Sequence, residues 1–170
     1  MTASTLGPPA MDHGGRLDRL RAALGCADVD ALVVTNLLNV RYLSGFTGSN
    51  ATMAITAEAA VLITDGRYRD QAGLEIDAAG APVEVRIESA DVDGVLAALL
   101  AGSASIGLEA ATISWATQRR FAERFAPALV VPLEGTIEQL RATKDPGEID
   151  RIERAAQVAD AALEIGRAHV

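Results

Sequence analysis

Six short apolar runs lie along the middle of the chain: Ala31–Thr35, Ala51–Thr56, Ala60–Thr64, Val83–Ile87, Ser105–Glu109 and Ala128–Leu133. Runs this short, rich in β-branched residues and bounded by turn residues, suit strands. Most are separated by segments whose apolar residues recur at helical spacing, so strand and helix alternate. That pattern specifies an α/β domain, a mixed β-sheet flanked by helices. The run Ala-Leu-Val-Val-Thr from Ala31 is apolar throughout and predicts a strand covered on both faces. Only Ala57, Glu58 and Ala59 separate the next two runs, which predicts a hairpin. Val83–Ile87 alternates apolar residues with Glu84 and Arg86, the pattern of an edge or half-exposed strand.

Helices fill the intervals. Leu17, Leu20 and Leu24 share one face of a short helix stopped by Gly25, and Asn36 to Leu43 forms another. Tyr68, Ala72 and Ile76 line a helix from Arg67 to Ile76; Val92–Leu100 and a segment capped by Ser114 and running to Phe125 complete the set. Residues 1–15, a mixture of Gly, Pro, Ser and Thr, read as a disordered leader, so the domain is expected over 16–134. The leader lacks the apolar stretch of a signal peptide.

Residues 135–144 read as a linker. Beyond it, Asp145 is placed as an N-cap, Pro146 at the first helical position and Glu148 as the reciprocal partner of the cap. Ile149, Ile152, Ala156, Ala159 and Leu163 then form one apolar stripe, with Asp150 and Arg154 paired on the polar side. This long helix occupies 145–170, with nothing after it in the sequence to cover the stripe. Its last six residues, Ile165-Gly166-Arg167-Ala168-His169-Val170, are the translation of ATC GGA AGA GCA CAC GTC, a common sequencing-library adapter. Residues 165–170 are therefore expected to be adapter-derived, and His169 an artefact.

Composition excludes several functions. The net charge is −8, with Lys144 the one lysine among 15 basic residues, which argues against a phosphate-backbone partner. No run reaches the length of a membrane span, and the protein reads as cytoplasmic. Cys26 is alone, so it forms neither an internal disulfide nor a cysteine-based zinc site, and it reads as a small buried apolar residue. His13 and His169 lack ligand spacing to any carboxylate, and neither is positioned as the base of a nucleophile. No catalytic and no metal-binding residue is assigned in this chain.

Two glycine-containing segments remain. Gly45-Phe46-Thr47-Gly48-Ser49-Asn50 lacks the lysine of a phosphate-binding loop and reads as a turn into the following strand. Thr64-Asp65-Gly66-Arg67-Tyr68 places polar side chains at a strand end, where α/β sheets present ligands, although Asp65 also suits a helix cap and Gly66 a tight turn.

Together these motifs resemble a known family. Asn39-Val40-Arg41-Tyr42-Leu43-Ser44-Gly45-Phe46-Thr47-Gly48-Ser49-Asn50-Ala51, then Ile63-Thr64-Asp65-Gly66-Arg67-Tyr68, is similar to the N-terminal domain of the creatinase/Xaa-Pro peptidase family. Leu140-Arg141-Ala142-Thr143-Lys144-Asp145-Pro146-Gly147-Glu148-Ile149 resembles the junction with the second, catalytic domain. The resemblance implies that a full-length protein hydrolyses Xaa-Pro bonds in proline-containing peptides with two divalent metal ions, Mn, Co or Zn. The metal ligands belong to that second "pita-bread" domain, and none of their motifs occurs here. The 170-residue chain is accordingly expected to be inactive as a peptidase. The resemblance further implies a homodimer and a role in shaping the substrate entrance, for which Tyr42, Phe46, Asp65 and Arg67 are the candidates. A stand-alone binding module of the same fold and a creatinase-like C–N hydrolase are the alternatives.

Overall fold

The computed structural model describes residues 9–167. They divide into two units, one from His13 to Ala142 and one formed by the residues up to Asp12 together with those from Thr143 onward.

The larger unit is built on six strands, β1 (Ala31–Val34), β2 (Ala51–Thr56), β3 (Ala60–Thr64), β4 (Glu84–Ile87), β5 (Ser105–Glu109) and β6 (Leu129–Leu133). They lie in the order β4-β3-β2-β1-β5-β6. β2 is antiparallel to both β1 and β3, while the pairs β1–β5, β3–β4 and β5–β6 are parallel. Every strand but β2 therefore runs the same way. Their C-terminal ends, together with the start of β2 at Ala51 opposite Thr64, form one edge of the sheet.

Helices α1 (His13–Cys26), α2 (Leu37–Ser44), α3 (Arg69–Ala79), α4 (Val92–Leu99), α5 (Trp115–Arg124) and α6 (Thr136–Ala142) cover the strands. The period-2 pleat sends alternate strand residues to opposite cores. Leu32, Val34, Met53, Ile55 and Leu62 pack with Leu17, Leu20 and Leu24 of α1, Val40 and Leu43 of α2, and Ile137 of α6. Ala31, Val33, Val61, Ile63, Ile106 and Leu108 pack with Leu96 of α4 and Phe121 of α5 on the other side. All four β1 residues are buried, which is why that run is continuously apolar. Gly107 leaves room on the first face for Leu133: a Cβ there would stand 2.6 Å from Leu133 Cδ1 and 3.3 Å from Leu32 Cδ1.

Both edge strands are blunted. β4 carries the exposed Glu84–Arg86 ion pair at 3.2 Å. On β6, Leu129 N–H donates to Ala104 and Leu133 C=O accepts from Ala110, so odd positions face β5. The nitrogen of Pro132 consequently faces the free edge, where its missing N–H breaks no ladder bond.

Two stretches differ from the sequence reading. Helix α1 begins at His13, three residues before the expected domain start at Arg16, because His13 is only 2% exposed and packs beside Arg16 and Tyr42. Residues 1–8 of the expected leader lie outside the described residues. The expected linker contains α6, whose Ile137 is 2% exposed; one buried anchor in seven residues leaves little periodicity to read.

The smaller unit contains α7 (Pro146–Arg167). The cap read from sequence is formed: Glu148 N–H donates to Asp145 Oδ1 at 2.8 Å, and Asp145 N–H donates to Glu148 Oε2 at 3.1 Å. Ile152 is 54% and Leu163 67% exposed, so the apolar stripe faces solvent. His169 lies outside the described residues. No described helix is long and apolar enough to cross a membrane.

Candidate functional site

The C-terminal edge of the parallel strands carries two polar networks. The first joins the loop Gly45–Asn50 to the segment after β3. Asp65 caps the short 3-10 turn Gly66–Tyr68 by accepting from Arg67 N–H at 3.0 Å. The same carboxylate receives Arg67 through Nε at 2.9 Å and Nη2 at 2.8 Å, and Asn50 Nδ2 at 2.7 Å. The Arg67 bonds, followed by that of Asn50, hold the Asp65 carboxyl well below the usual carboxylate range. The pairing raises the Arg67 guanidinium in turn. Thr64 Oγ1 donates to Asn50 C=O at 2.6 Å, and the hydroxyls of Ser49 and Tyr68 lie 2.7 Å apart, which lowers the Tyr68 phenol. At the loop's other end Glu75 accepts from Thr47 N–H at 2.8 Å and Thr47 Oγ1 at 2.5 Å. Desolvation pushes Glu75 up, but the Thr47 and Gln71 hydrogen bonds together outweigh it and leave it low.

The four residues singled out from sequence are thus separated by burial. Arg67, 68% exposed at its side chain, presents the outer part of its guanidinium to solvent beside Asp65. Tyr42 and Phe46 are 7% and 1% exposed and belong to the core. Phe46 meets Tyr68 edge-on with centroids 5.5 Å apart, so it supports the network from beneath. Tyr42 lies under the Arg16 guanidinium, 4.3 Å from its centroid; its carbonyl accepts from Arg16 Nη1 at 2.7 Å and its hydroxyl donates to Leu140 C=O at 3.3 Å.

The second network was not read from sequence. It sits where β1 and β5 lie side by side while the chain leaves β1 toward β2, the switch point at which open α/β sheets receive ligands. Glu109 Oε2, at the end of β5, accepts the N–H groups of Thr35 at 2.7 Å and Asn36 at 2.8 Å. Asn39, fully buried in α2, donates through Nδ2 to Glu109 Oε1 and to Glu138 Oε1, both at 2.7 Å, and accepts from Arg141 Nη1 at 3.0 Å. One amide side chain therefore ties α2, β5 and α6 together. The signal available in sequence was Asn39 on the apolar side of a short helix, a buried polar residue that demands partners.

At the opposite edge an open groove of about 820 Å³ is lined by residues including Arg21, Val29, Asp30, Glu58 and Gly102. Two of its polar side chains serve the fold: Arg21 Nε donates to Thr56 C=O at 3.0 Å, and Asp30 Oδ2 accepts from Ala104 and Ser105 N–H at 2.7 and 2.9 Å. Cys26, expected to be buried, is exposed at the end of α1. Among the described residues no group of three or more His, Cys, Asp or Glu is placed to hold a metal ion. The donor set of the described residues does not fit a dinuclear centre.

Sheet order and the two strand-end networks define a mixed α/β domain in which the polar groups at that edge are bonded mainly to one another. The chain belongs to the Creatinase/Prolidase N-terminal domain family, whose model matches residues 16–143. It is 29% identical over 154 residues to the uncharacterized peptidase YqhT of Bacillus subtilis, covering 87% of this chain and 41% of that protein. Among solved structures, the N-terminal domain of the cytoplasmic peptidase PepQ from Mycobacterium tuberculosis H37Rv is similar at 36% identity and a TM-score of 0.66. That match covers 74% of this chain and 98% of the other. The Xaa-Pro dipeptidase from Bacillus anthracis matches 93% of this chain and 44% of its own, with a TM-score of 0.81 and 29% identity. The chain thus spans less than half the length of YqhT and of that dipeptidase.

Proposed function

We propose that this chain is the N-terminal part of a longer, cytoplasmic Xaa-Pro aminopeptidase or dipeptidase, acting on proline-containing peptides through a second domain that holds two divalent metal ions, Mn, Co or Zn. On this reading 145–170 open that second domain and 165–170 are adapter-derived. The sheet domain then serves dimerisation and the substrate entrance, and the 170-residue chain alone hydrolyses nothing. The observation that carries the reading is α7: a correctly capped helix whose stripe of Ile149, Ile152 and Leu163 stands in solvent, as it would before its packing partner is added. The same exposure counts against a self-sufficient binding module, which would bury the stripe.

At the entrance, Arg67 supplies the surface group and Asp65 fixes it, while Tyr42 and Phe46 hold the loop and α2 from the core. The test begins with the DNA of the locus past the codon for Leu163. A frame that continues into a domain bearing the metal ligands, and a longer protein that cleaves an Xaa-Pro dipeptide or tripeptide with Mn²⁺ while the 170-residue chain does not, is the expected result. A native stop after Val170, or cleavage by the short chain, overturns it.

A further inference from the structure

We infer that residues 9–12 form a strap clipped over the first turn of α7, so that the backbone leading into α1 and the start of the last helix hold each other in place. Three contacts make the clip. Arg151, one turn into α7, donates from Nη1 to Pro9 C=O at 2.9 Å as well as to Gly147 C=O at 2.8 Å. Asp145 divides its carboxylate: Oδ1 serves the helix cap, while Oδ2 accepts the N–H of Asp12 at 3.2 Å. Gly147 supplies the space, since a Cβ there would stand 2.7 Å from Ala10 O and 2.9 Å from Pro9 O.

The glycine is the informative residue. It lies within α-helical backbone, so no unusual dihedral calls for it. Glycine in a helix is less favourable than alanine. At this position the missing methyl is replaced by two backbone carbonyls of the strap. Asp12 is followed directly by α1 and Thr143 follows α6, so a strapped α7 is tethered to the chain of the sheet domain at two points in sequence. Trimming residues 9–12, or a partner that takes them up, leaves the helix on a single tether.

Native-state hydrogen exchange on the 170-residue chain tests this, comparing the wild type with Gly147→Ala and Arg151→Ala. The amide of Ile149, which donates to Asp145 C=O, reports that the helix start remains formed. The strap requires the Asp12 amide to exchange at least tenfold faster in both variants. In Gly147→Ala it also requires that Ile149 gain no protection, whereas alanine's higher helix propensity alone would add some. Unchanged Asp12 exchange in either variant, or extra protection at Ile149, overturns the proposal.

Discussion

Phe46 and Gly48 are fitted to each other: the ring of Phe46 fills the place where any other residue at 48 would carry its Cβ, 2.8 Å from Cε1 and closer still to Cζ. Phe46 is 1% exposed, so the ring cannot turn away into solvent. The loop's second glycine is thus explained by the core below it, and not by a ligand above it.

Gly48→Ala is accordingly expected to destabilise the domain by about 1–3 kcal/mol through overpacking. Phe46→Leu in the same background should recover part of that loss, because the two positions share one volume. Urea denaturation of the two single variants and the double variant measures the coupling; strict additivity would sink the fitted-pair account.

Asn39 offers a second test. Replacing it by alanine removes the donor to Glu109 Oε1 and Glu138 Oε1 and one acceptor of Arg141 at a buried site, and is expected to cost about 2–3 kcal/mol. Asn39→Asp should be worse at pH 7 than at pH 4, since a third carboxylate would face Glu109 and Glu138 where the amide now donates at 2.7 Å. Chemical denaturation at both pH values checks the order.

Asp65 predicts a pH dependence of defined sign. Its folded-state pKa is depressed, chiefly by Arg67 and then by Asn50, so its contribution is complete above the unfolded value of about 3.9 and fades as pH falls toward the folded value. The stability gap between wild type and Asp65→Asn should therefore be smaller at pH 3 than at pH 7. A gap that widens on acidification contradicts the assignment.

Arg67 separates structure from function. With its side chain 68% exposed, Arg67→Ala should change the stability of this chain by less than about 1 kcal/mol. In the longer peptidase it should raise KM severalfold with little change in kcat, the mark of a residue that guides substrate without touching the reacting atoms. Steady-state kinetics on an Xaa-Pro tripeptide decides; an unchanged KM removes Arg67 from the entrance.

The stripe on α7 gives the last test. Ile152→Lys with Leu163→Lys should leave the melting temperature of the 170-residue chain within about 2 °C of wild type, because both side chains already face water. The same pair should lower that of the longer protein clearly. A large drop in the short chain would mean the helix is already packed and would revive the binding-module reading.

The sequence alone determined the strands, because a pleated run buried on one or both faces writes its period directly into residue type. The hairpin at Ala57–Ala59, the fully buried β1 and the Asp145–Glu148 cap are all formed as read. Local chemistry also located the Asp65–Arg67 turn, since a capping carboxylate and its arginine lie two residues apart. What only the tertiary structure decided rests on contacts distant in sequence. The partners of Asn39 lie 70, 99 and 102 residues away, and no local pattern encodes them. Tyr42 and Phe46 are named from sequence as substrate-entrance candidates, yet both side chains are buried in the core that α1 and α2 form with the sheet. Side-chain spacing fixes which face of an element is apolar; which other element that face meets depends on how the sheet is ordered, and only the folded chain settles that.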